Sequence, residues 1–533
     1  MSLCTSDMSA VNFREIFLKR FKLPERILPK SFWVRDDDFF VGGYYLLFED
    51  EKNERDIFAI CKQKRWEQLM NLRGDFWLLC CDFNAREIYV ITDSASKFST
   101  FFSIFDGKLM LSTSFGEVVE NLPVRRLNLG AALDFITNFR FLAMDENTII
   151  ENIYQLPPGT CLKIDKTLSW SIKSLVDVDS MFALLPAEYQ SQDKLTNDFL
   201  ETLTICVEDR LRQVSKFRLI SDISSGFDSS LVCYCLSKLI PNQFKAYCWK
   251  AETIDKRDTN PEVVRQFAEK HKFEVDFFDV SEMYSFSEFD INWTQRNLYP
   301  GNHAAEVLHK YCLEISGGRP TALFQGHGGD EVYGSASLEK ELRFVIQSAY
   351  FLMLKNLKLG ADELLLTPLA VDKFFTEERF VNRGYFPPSV SVSTGYLFPA
   401  MFGLHWEADV WPLHPYTDPR LIRLARSISL KGGVASIKRE FWKQRKDIFV
   451  DKQFKSGWHM GGLFSQFVWK RKEIVLSILE NSVLSRAGYV RGKEIVKNIK
   501  IGKADLYAKD GVAVFLDSLL HLELFIQKNN IKI

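Results

Sequence analysis

Apolar positions along the chain change rhythm about a third of the way in. Before that point they cluster in short runs of β-prone residues, at 40–48, 76–81, 87–92 and 109–114. Turn residues separate the runs: Asp82-Phe83-Asn84-Ala85, then Phe105-Asp106-Gly107-Lys108. Leu156-Pro157-Pro158-Gly159-Thr160 turns into a further strand at 161–164. This spacing predicts a hairpin-rich, sheet-based first domain. Residues 1–30 mix charge, Phe and Pro without clear periodicity, and the weakly patterned stretch 165–192 reads as a linker. From there apolar residues fall at helical spacing over 195–214, then in strands and helices by turns: strand 244–249, helix 261–272, strand 273–280. Alternation of that kind predicts a parallel, doubly wound sheet, with ligands at the carboxyl ends of its strands. Beyond about 340 the chain reads as mostly helical. The expected organisation is an α/β protein with domains at 1–185 and 190–533.

Two strand-ended loops in the second domain carry candidate chemistry. In the first, Leu219-Ile220-Ser221-Asp222-Ile223 runs into Ser224-Ser225-Gly226-Phe227-Asp228-Ser229 and then an apolar run of helical character. That order reads as strand, tight turn and helix N-terminus, a ready anion site. Ser224, Ser225 and Ser229 add hydroxyls, and Gly226 lets the backbone approach a ligand. Asp228 would repel a bare phosphate, so its place here makes sense if it holds Mg²⁺. An ordinary Ser-rich βα turn is the plainer explanation of the first loop alone. The second loop weighs against it: Ala322-Leu323-Phe324 leads into Gln325-Gly326-His327-Gly328-Gly329 and ends on Asp330-Glu331. Two such loops, each with an Asp able to share a magnesium, would make a nucleotide site.

At this point a resemblance becomes specific. The first loop resembles the Ser-Gly-Gly-x-Asp-Ser pyrophosphate loop of the asparagine synthetase family, and the second its Gly-Asp-Gly-x-Asp-Glu loop. Ser225 stands where the family has a first Gly, and His327 where it has an acidic residue. Gly74-Asp75-Phe76 and the turn at 156–159 resemble landmarks of that family's amino-terminal domain. His414-Pro415-Tyr416-Thr417-Asp418-Pro419-Arg420 resembles a Pro-Phe-Leu-Asp-type segment. Arg439-Glu440 and Lys455-Ser456-Gly457-Trp458 resemble its Arg-Glu and Lys-x-Gly-Phe pair. The likeness is strong in the second domain and eroded in the first. It implies a degenerate Ntn-glutaminase-like sheet domain followed by an ATP-pyrophosphatase domain with a helical end.

The resemblance also implies roles. Asp228 and Asp330 would hold Mg²⁺, while Ser224, Ser225, Gly226 and Ser229 would cradle pyrophosphate. Lys455 would stabilise phosphate charge, with Lys452 as the fallback in that basic stretch. Ile223, Trp249 and Gln325-Gly326 sit where the family's backbone frames the adenosine of ATP. His327, assisted or oriented by Glu331, would take the proton of an attacking amine, a task suited to imidazole. A His that merely hydrogen-bonds within the loop is the simpler alternative.

A glutaminase of this type needs an N-terminal Cys, with its α-amino group as base. The chain begins Met1-Ser2-Leu3-Cys4, and Thr92-Asp93-Ser94-Ala95-Ser96-Lys97 stands where the family has Arg-Asp-x-x-Gly. The expectation is a scaffold without glutamine hydrolysis. The loop pattern is nearest the lasso-peptide macrolactam cyclases of the family, then the β-lactam synthetases. An asparagine synthetase fed by glutamine or ammonia comes third, and a catalytically inactive binding or regulatory relative is the alternative of another class.

Composition narrows this further. A formal charge of −1 over 533 residues gives no reason to expect nucleic acid or a membrane surface as partner. The ten Cys have no zinc spacing, and no secretory or membrane-spanning run is seen, so a cytoplasmic enzyme is expected. The expected substrate is a small molecule or peptide bearing a carboxylate and an amine. A peptide-processing partner protein and a homodimer stay open.

Overall fold

The computed structural model describes residues 2–5, 13–20, 29–48, 53–95, 97–138, 146–175, 192–250, 261–297, 305–329, 365–370, 402–421, 424, 441, 444–450, 469–507 and 512–533. Strands β1 (Ser2–Thr5), β2 (Lys30–Arg35), β3 (Phe39–Leu47), β4 (Gly74–Asp82), β5 (Glu87–Thr92), β6 (Phe101–Phe105), β7 (Lys108–Ser112), β8 (Tyr154–Gln155), β9 (Thr160–Ile164) and β10 (Trp170–Ser174) form two antiparallel sheets. Their orders are β1-β7-β6-β8 and β10-β9-β5-β4-β3-β2. The predicted 105–108 turn is a two-residue hairpin with Phe105 opposite Lys108. Asp106 and Gly107 both take positive φ, 49° and 70°, as the turn type matching strand twist demands.

The six-stranded sheet is buried on both faces, which is why its strands read as continuous apolar runs rather than alternations. Phe40, Tyr44, Trp77, Leu79, Ile88 and Val90 face the other sheet's Phe102, Leu109 and Leu111. Their neighbours in sequence, among them Val41, Phe76, Leu78 and Ile91, pack instead under Ile57 and Cys61 of the helix Glu54–Lys62. The nine cysteines from Cys61 to Cys312 are all buried thiols, Cys80 and Cys81 on opposite faces of β4.

One expectation fails in this region. The stretch read as a linker contains β10, paired residue for residue with β9 from Trp170 opposite Ile164 to Ser174 opposite Thr160. Its polar outward positions, Ser171 and Lys173, masked the alternation because β10 is an edge strand with half-exposed side chains.

The parallel sheet follows the long helix Gln192–Val214. It is built from β11 (Arg218–Asp222), β12 (Lys245–Lys250), β13 (Glu274–Asp279), β14 (Thr321–Phe324) and β15 (Val410–Leu413), in the order β13-β12-β11-β14-β15. All four pairings are parallel. β12 lies on one side of β11 and β14 on the other, so the winding reverses between β11 and β14. That reversal is the crevice in which such sheets bind ligands.

Beyond 340 the described residues are mostly helical, as expected, and β15 is the exception. Val410-Trp411-Pro412-Leu413 is short and contains Pro, which argues against a strand from sequence. Asp409 and Leu413 accept from Thr321 and Gln325, at 3.0 and 2.9 Å, so residues of odd number face β14. Pro412 has the opposite parity and therefore lies on the outer edge, where its missing N–H costs no ladder bond.

One core runs through both parts of the chain. Phe98 packs on Phe402, Trp406 and Trp411, with ring centroids 4.7, 5.8 and 6.0 Å away. Lys97 and Asp75, 2% and 7% exposed, are ion-paired in that seam, and Trp411 Nε1 donates to Asp75 Oδ2 at 3.2 Å. A second core joins the helices Leu129–Asn138, Lys472–Glu480, Gly492–Lys500 and Val512–Lys528. Among the described residues no helix is long and apolar enough to cross a membrane.

Candidate active site

The two loops singled out from sequence leave β11 and β14 at the crevice. Ile223 is buried, and its N–H donates to Tyr247 O at 2.9 Å, prolonging the β11–β12 pairing by one residue. The chain then turns, and the helix Phe227–Leu239 begins after Gly226. Gly226 has no side chain to cap that helix, and a helix N-terminus of this kind suits an anion.

The serines brace this turn more than expected. Ser229 Oγ accepts from Ser224 N at 3.0 Å and shares a proton with Ser224 Oγ at 2.9 Å. Ser224 Oγ in turn accepts from Gly226 N at 3.1 Å. One of the two hydroxyls donates to the other, leaving one hydroxyl proton to point elsewhere. Ser225 is buried, and Ser230 Oγ donates to Gly226 O at 2.7 Å.

The second loop is pressed against the first. A Cβ on Gly326 would lie 2.5 Å from Ser229 N and 2.9 Å from the carbonyl carbon of Asp228. A Cβ on Gly329 would lie 2.4 Å from Cγ of Asp228, so that carboxyl group rests on the glycine's bare Cα. Gly328, at φ +92°, turns the chain past Tyr416 and Thr417. Tyr416 OH donates to Asp228 O at 3.2 Å, tying the segment after β15 to the same junction.

Of the two carboxylates that the resemblance implies for magnesium, Asp228 lies among the described residues. Asp228 offers hard oxygen at the meeting point of both loops, and Asp330 follows Gly329 in sequence. Among the described residues no group of three or more His, Cys, Asp or Glu forms a metal site. Asp330, Glu331, Lys455, Lys452 and Arg439-Glu440 lie outside the described residues.

Beneath the loops is a polar chain that sequence reading did not single out. Asp222, the last residue of β11, accepts from Tyr311 OH through Oδ1 and from Gln325 Nε2 through Oδ2, the latter at 2.5 Å. Gln325 Oε1 meets His414 Nε2 at 3.1 Å. The His414 and His327 rings are 5.9 Å apart. Burial holds His414 well below its usual pKa, and the positive charges of Lys97 and His327 add to that. Burial raises the Asp222 carboxyl, opposed by its bonds from Gln325 and Tyr311. Trp249, at the end of β12, packs on Tyr311 at 5.3 Å and on Phe278 at 5.9 Å. The available signal was a carboxylate closing an otherwise apolar strand, Leu219 to Ile223.

The segment after β15 is held by charge. Arg210 Nη1 donates to Asp418 Oδ2 at 3.1 Å and Arg420 Nε to Asp418 Oδ1 at 2.9 Å. The two guanidinium groups keep this buried carboxylate well below the usual range.

With this geometry in place, comparison with known families bears on the second part of the chain. Residues 198–371 match the asparagine synthase family model. The matched region contains both loops, and at family level it supports ATP-dependent amide-bond formation by a ligase. No curated protein matches the chain. Glutamine phosphoribosylpyrophosphate amidotransferase from B. subtilis, complexed with ADP and GMP, overlaps 61% of this chain and 62% of its own at 7% identity and a TM-score of 0.19. The allosteric regulatory enzyme of purine biosynthesis overlaps 61% of each chain at 8% identity, also with a TM-score of 0.19. Overlaps of that quality carry nothing about this chain's chemistry.

Proposed function

We propose that the chain adenylates a substrate carboxylate with ATP and then joins it to an amine carried by the substrate, without hydrolysing glutamine. The carboxylate oxygen attacks the α-phosphorus of ATP, and the bond to pyrophosphate breaks. The amine nitrogen then attacks the acyl carbon, and AMP departs with the bonding pair. The observation that carries this reading is the joint between the loops: Gly326 seated on the backbone of Asp228 and Ser229. It sets the turn that would receive an anion beside the His-bearing loop at the switch point of the sheet.

In this reading the turn from Ser224 to Ser229 and the helix behind it receive the departing pyrophosphate. Magnesium bound there would neutralise phosphate charge, held by Asp228 and Asp330. His327 accepts the proton of the attacking amine, and Glu331 orients or shares that task. Lys455 would stabilise charge on the phosphates, while the backbone of Ile223, Trp249 and Gln325-Gly326 would frame the nucleoside.

His327, in place of an acidic residue, favours a peptide macrolactam cyclase over a β-lactam-type cyclase. The substrate would then be a peptide whose α-amine meets an Asp or Glu side chain. Cys4 lies within β1, opposite Met110 in the β1–β7 ladder, and in this reading takes no part in catalysis. In this reading a peptide-processing partner and a homodimer remain compatible, residues 1–185 serve as scaffold, and the enzyme works in the cytoplasm.

The test is pyrophosphate release from ATP with aspartate plus glutamine, aspartate plus ammonium, and a panel of amino-bearing acids and peptides. Turnover confined to substrates carrying their own amine supports the proposal. Asparagine formed from aspartate and ammonium would make the chain a synthetase instead. ATP binding without AMP on any mixture would point to an inactive relative.

A further inference from the structure

The bonds beneath the two loops run in a single direction, and that direction is set by one residue. Asp222 accepts from the Tyr311 hydroxyl through Oδ1 and from the Gln325 amide nitrogen through Oδ2. The orientation of the Gln325 amide follows from this partner: with Nε2 on Asp222, Oε1 must face His414. Facing Oε1, His414 Nε2 must be the donor, and burial, which holds the ring well below its usual pKa, favours the form without a proton on Nδ1. Four elements are thereby locked in register: the end of β11, the helix Ala305–Ser316, the start of the second loop and the end of β15. The Gln325 backbone is fixed at the same place by its N–H to Leu413 O at 2.9 Å.

We propose that Asp222 is a positioning residue for this site: through Gln325 it fixes the His414 tautomer and holds the His327 loop against Asp228 and Ser229. It touches no reacting group. It acts by supplying two acceptors that leave Gln325 a single allowed orientation. The functional part of this inference rests on the amide-ligase reading; the tautomer does not.

The polarity makes a sharp test. In Asp222→Asn, an amide nitrogen must face either the Gln325 amide nitrogen or the Tyr311 hydroxyl. The first is donor against donor, and the second takes the acceptor from a buried O–H. Adding Gln325→Glu repairs both. The amide nitrogen introduced at position 222 then donates to one oxygen of the carboxylate introduced at position 325. The other oxygen of that carboxylate accepts from His414 Nε2, and Tyr311 keeps its acceptor.

The experiment measures ¹⁵N chemical shifts of the histidine side chains, of which the chain has eight, together with steady-state pyrophosphate release. His414 is assigned by its loss in His414→Gln. The wild type should show Nε2-protonated His414. Asp222→Asn should disturb that tautomer and lower kcat by roughly ten- to a hundredfold, the scale expected when reacting groups lose their alignment. KM for ATP should move far less, because phosphate binding rests on the first loop. The double variant should recover both the tautomer and most of kcat. If Asp222→Asn does not fold, Gln325→Met removes the same acceptor from His414 and must disturb its tautomer.

An unchanged His414 signature in Asp222→Asn or Gln325→Met would overturn the proposal. So would a double variant no better than the single one. If the wild type released no pyrophosphate on any substrate, the amide-ligase reading would fall, and the tautomer shifts alone would still decide the relay.

Discussion

Gly326→Ala is the smallest change that reaches the heart of the site. Its added methyl would lie 2.5 Å from Ser229 N, 2.9 Å from Ser229 Cα and 2.9 Å from the Asp228 carbonyl carbon. Comfortable contacts between such atoms begin near ~3.5 Å, so the loops must separate by roughly 1 Å. All three obstructing atoms are backbone at the start of the helix Phe227–Leu239, so no side chain can swing aside. Overpacking of this kind costs about 1–3 kcal/mol. A displacement near 1 Å between reacting groups lowers turnover by up to roughly a hundredfold. Gly226→Ala is the informative control: the nearest obstacle is Ser224 Oγ at 3.0 Å, and φ −79°, ψ 170° suits any residue. It should cost a fraction of that stability while still crowding bound phosphate. Thermal unfolding and pyrophosphate release measure both effects. Wild-type stability and turnover in Gly326→Ala would refute the joint between the loops.

The remaining predictions concern the seam and the first domain. Lys97→Met should destabilise the protein by about 3–5 kcal/mol, because it leaves Asp75 buried without its cation; denaturant unfolding reads this, and Lys97→Met with Asp75→Leu should recover much of it. Burial first, then the Asp75 charge, pushes the Asp93 carboxyl up to about 7. The folded state then holds a proton that the unfolded chain has lost, so stability should fall as pH rises from about 4 to about 7, by up to roughly 4 kcal/mol, and level off above. Asp93→Asn should flatten that slope in unfolding curves recorded across the window. Cys4→Ala should leave amide formation unchanged, and loss of a glutamine-dependent activity in that variant would revive the glutaminase.

Local chemistry made some of these features legible in the sequence, and distance hid others. Loops such as 224–229 and 325–329 carry their meaning within a few residues, because a strand end, a glycine and a helix start are consecutive. The 105–108 hairpin was equally plain, since Asp-Gly is the dipeptide its φ values require. β15 was hidden because a Pro in a short run ordinarily excludes a strand, and only its edge position removes the objection. Asp222 was hidden because its partners, Tyr311, Gln325 and His414, come from three separate parts of the chain. A carboxylate closing an apolar strand marks such a place without naming what it will meet.

The most direct test of the central claim is the balance of products from ATP, magnesium and a peptide carrying both an amine and an acidic side chain. The account predicts AMP and pyrophosphate in equal amounts with one amide formed per ATP, and none of the three in Asp228→Ala. ADP and phosphate in place of AMP and pyrophosphate would contradict it, as would full turnover in Asp228→Ala.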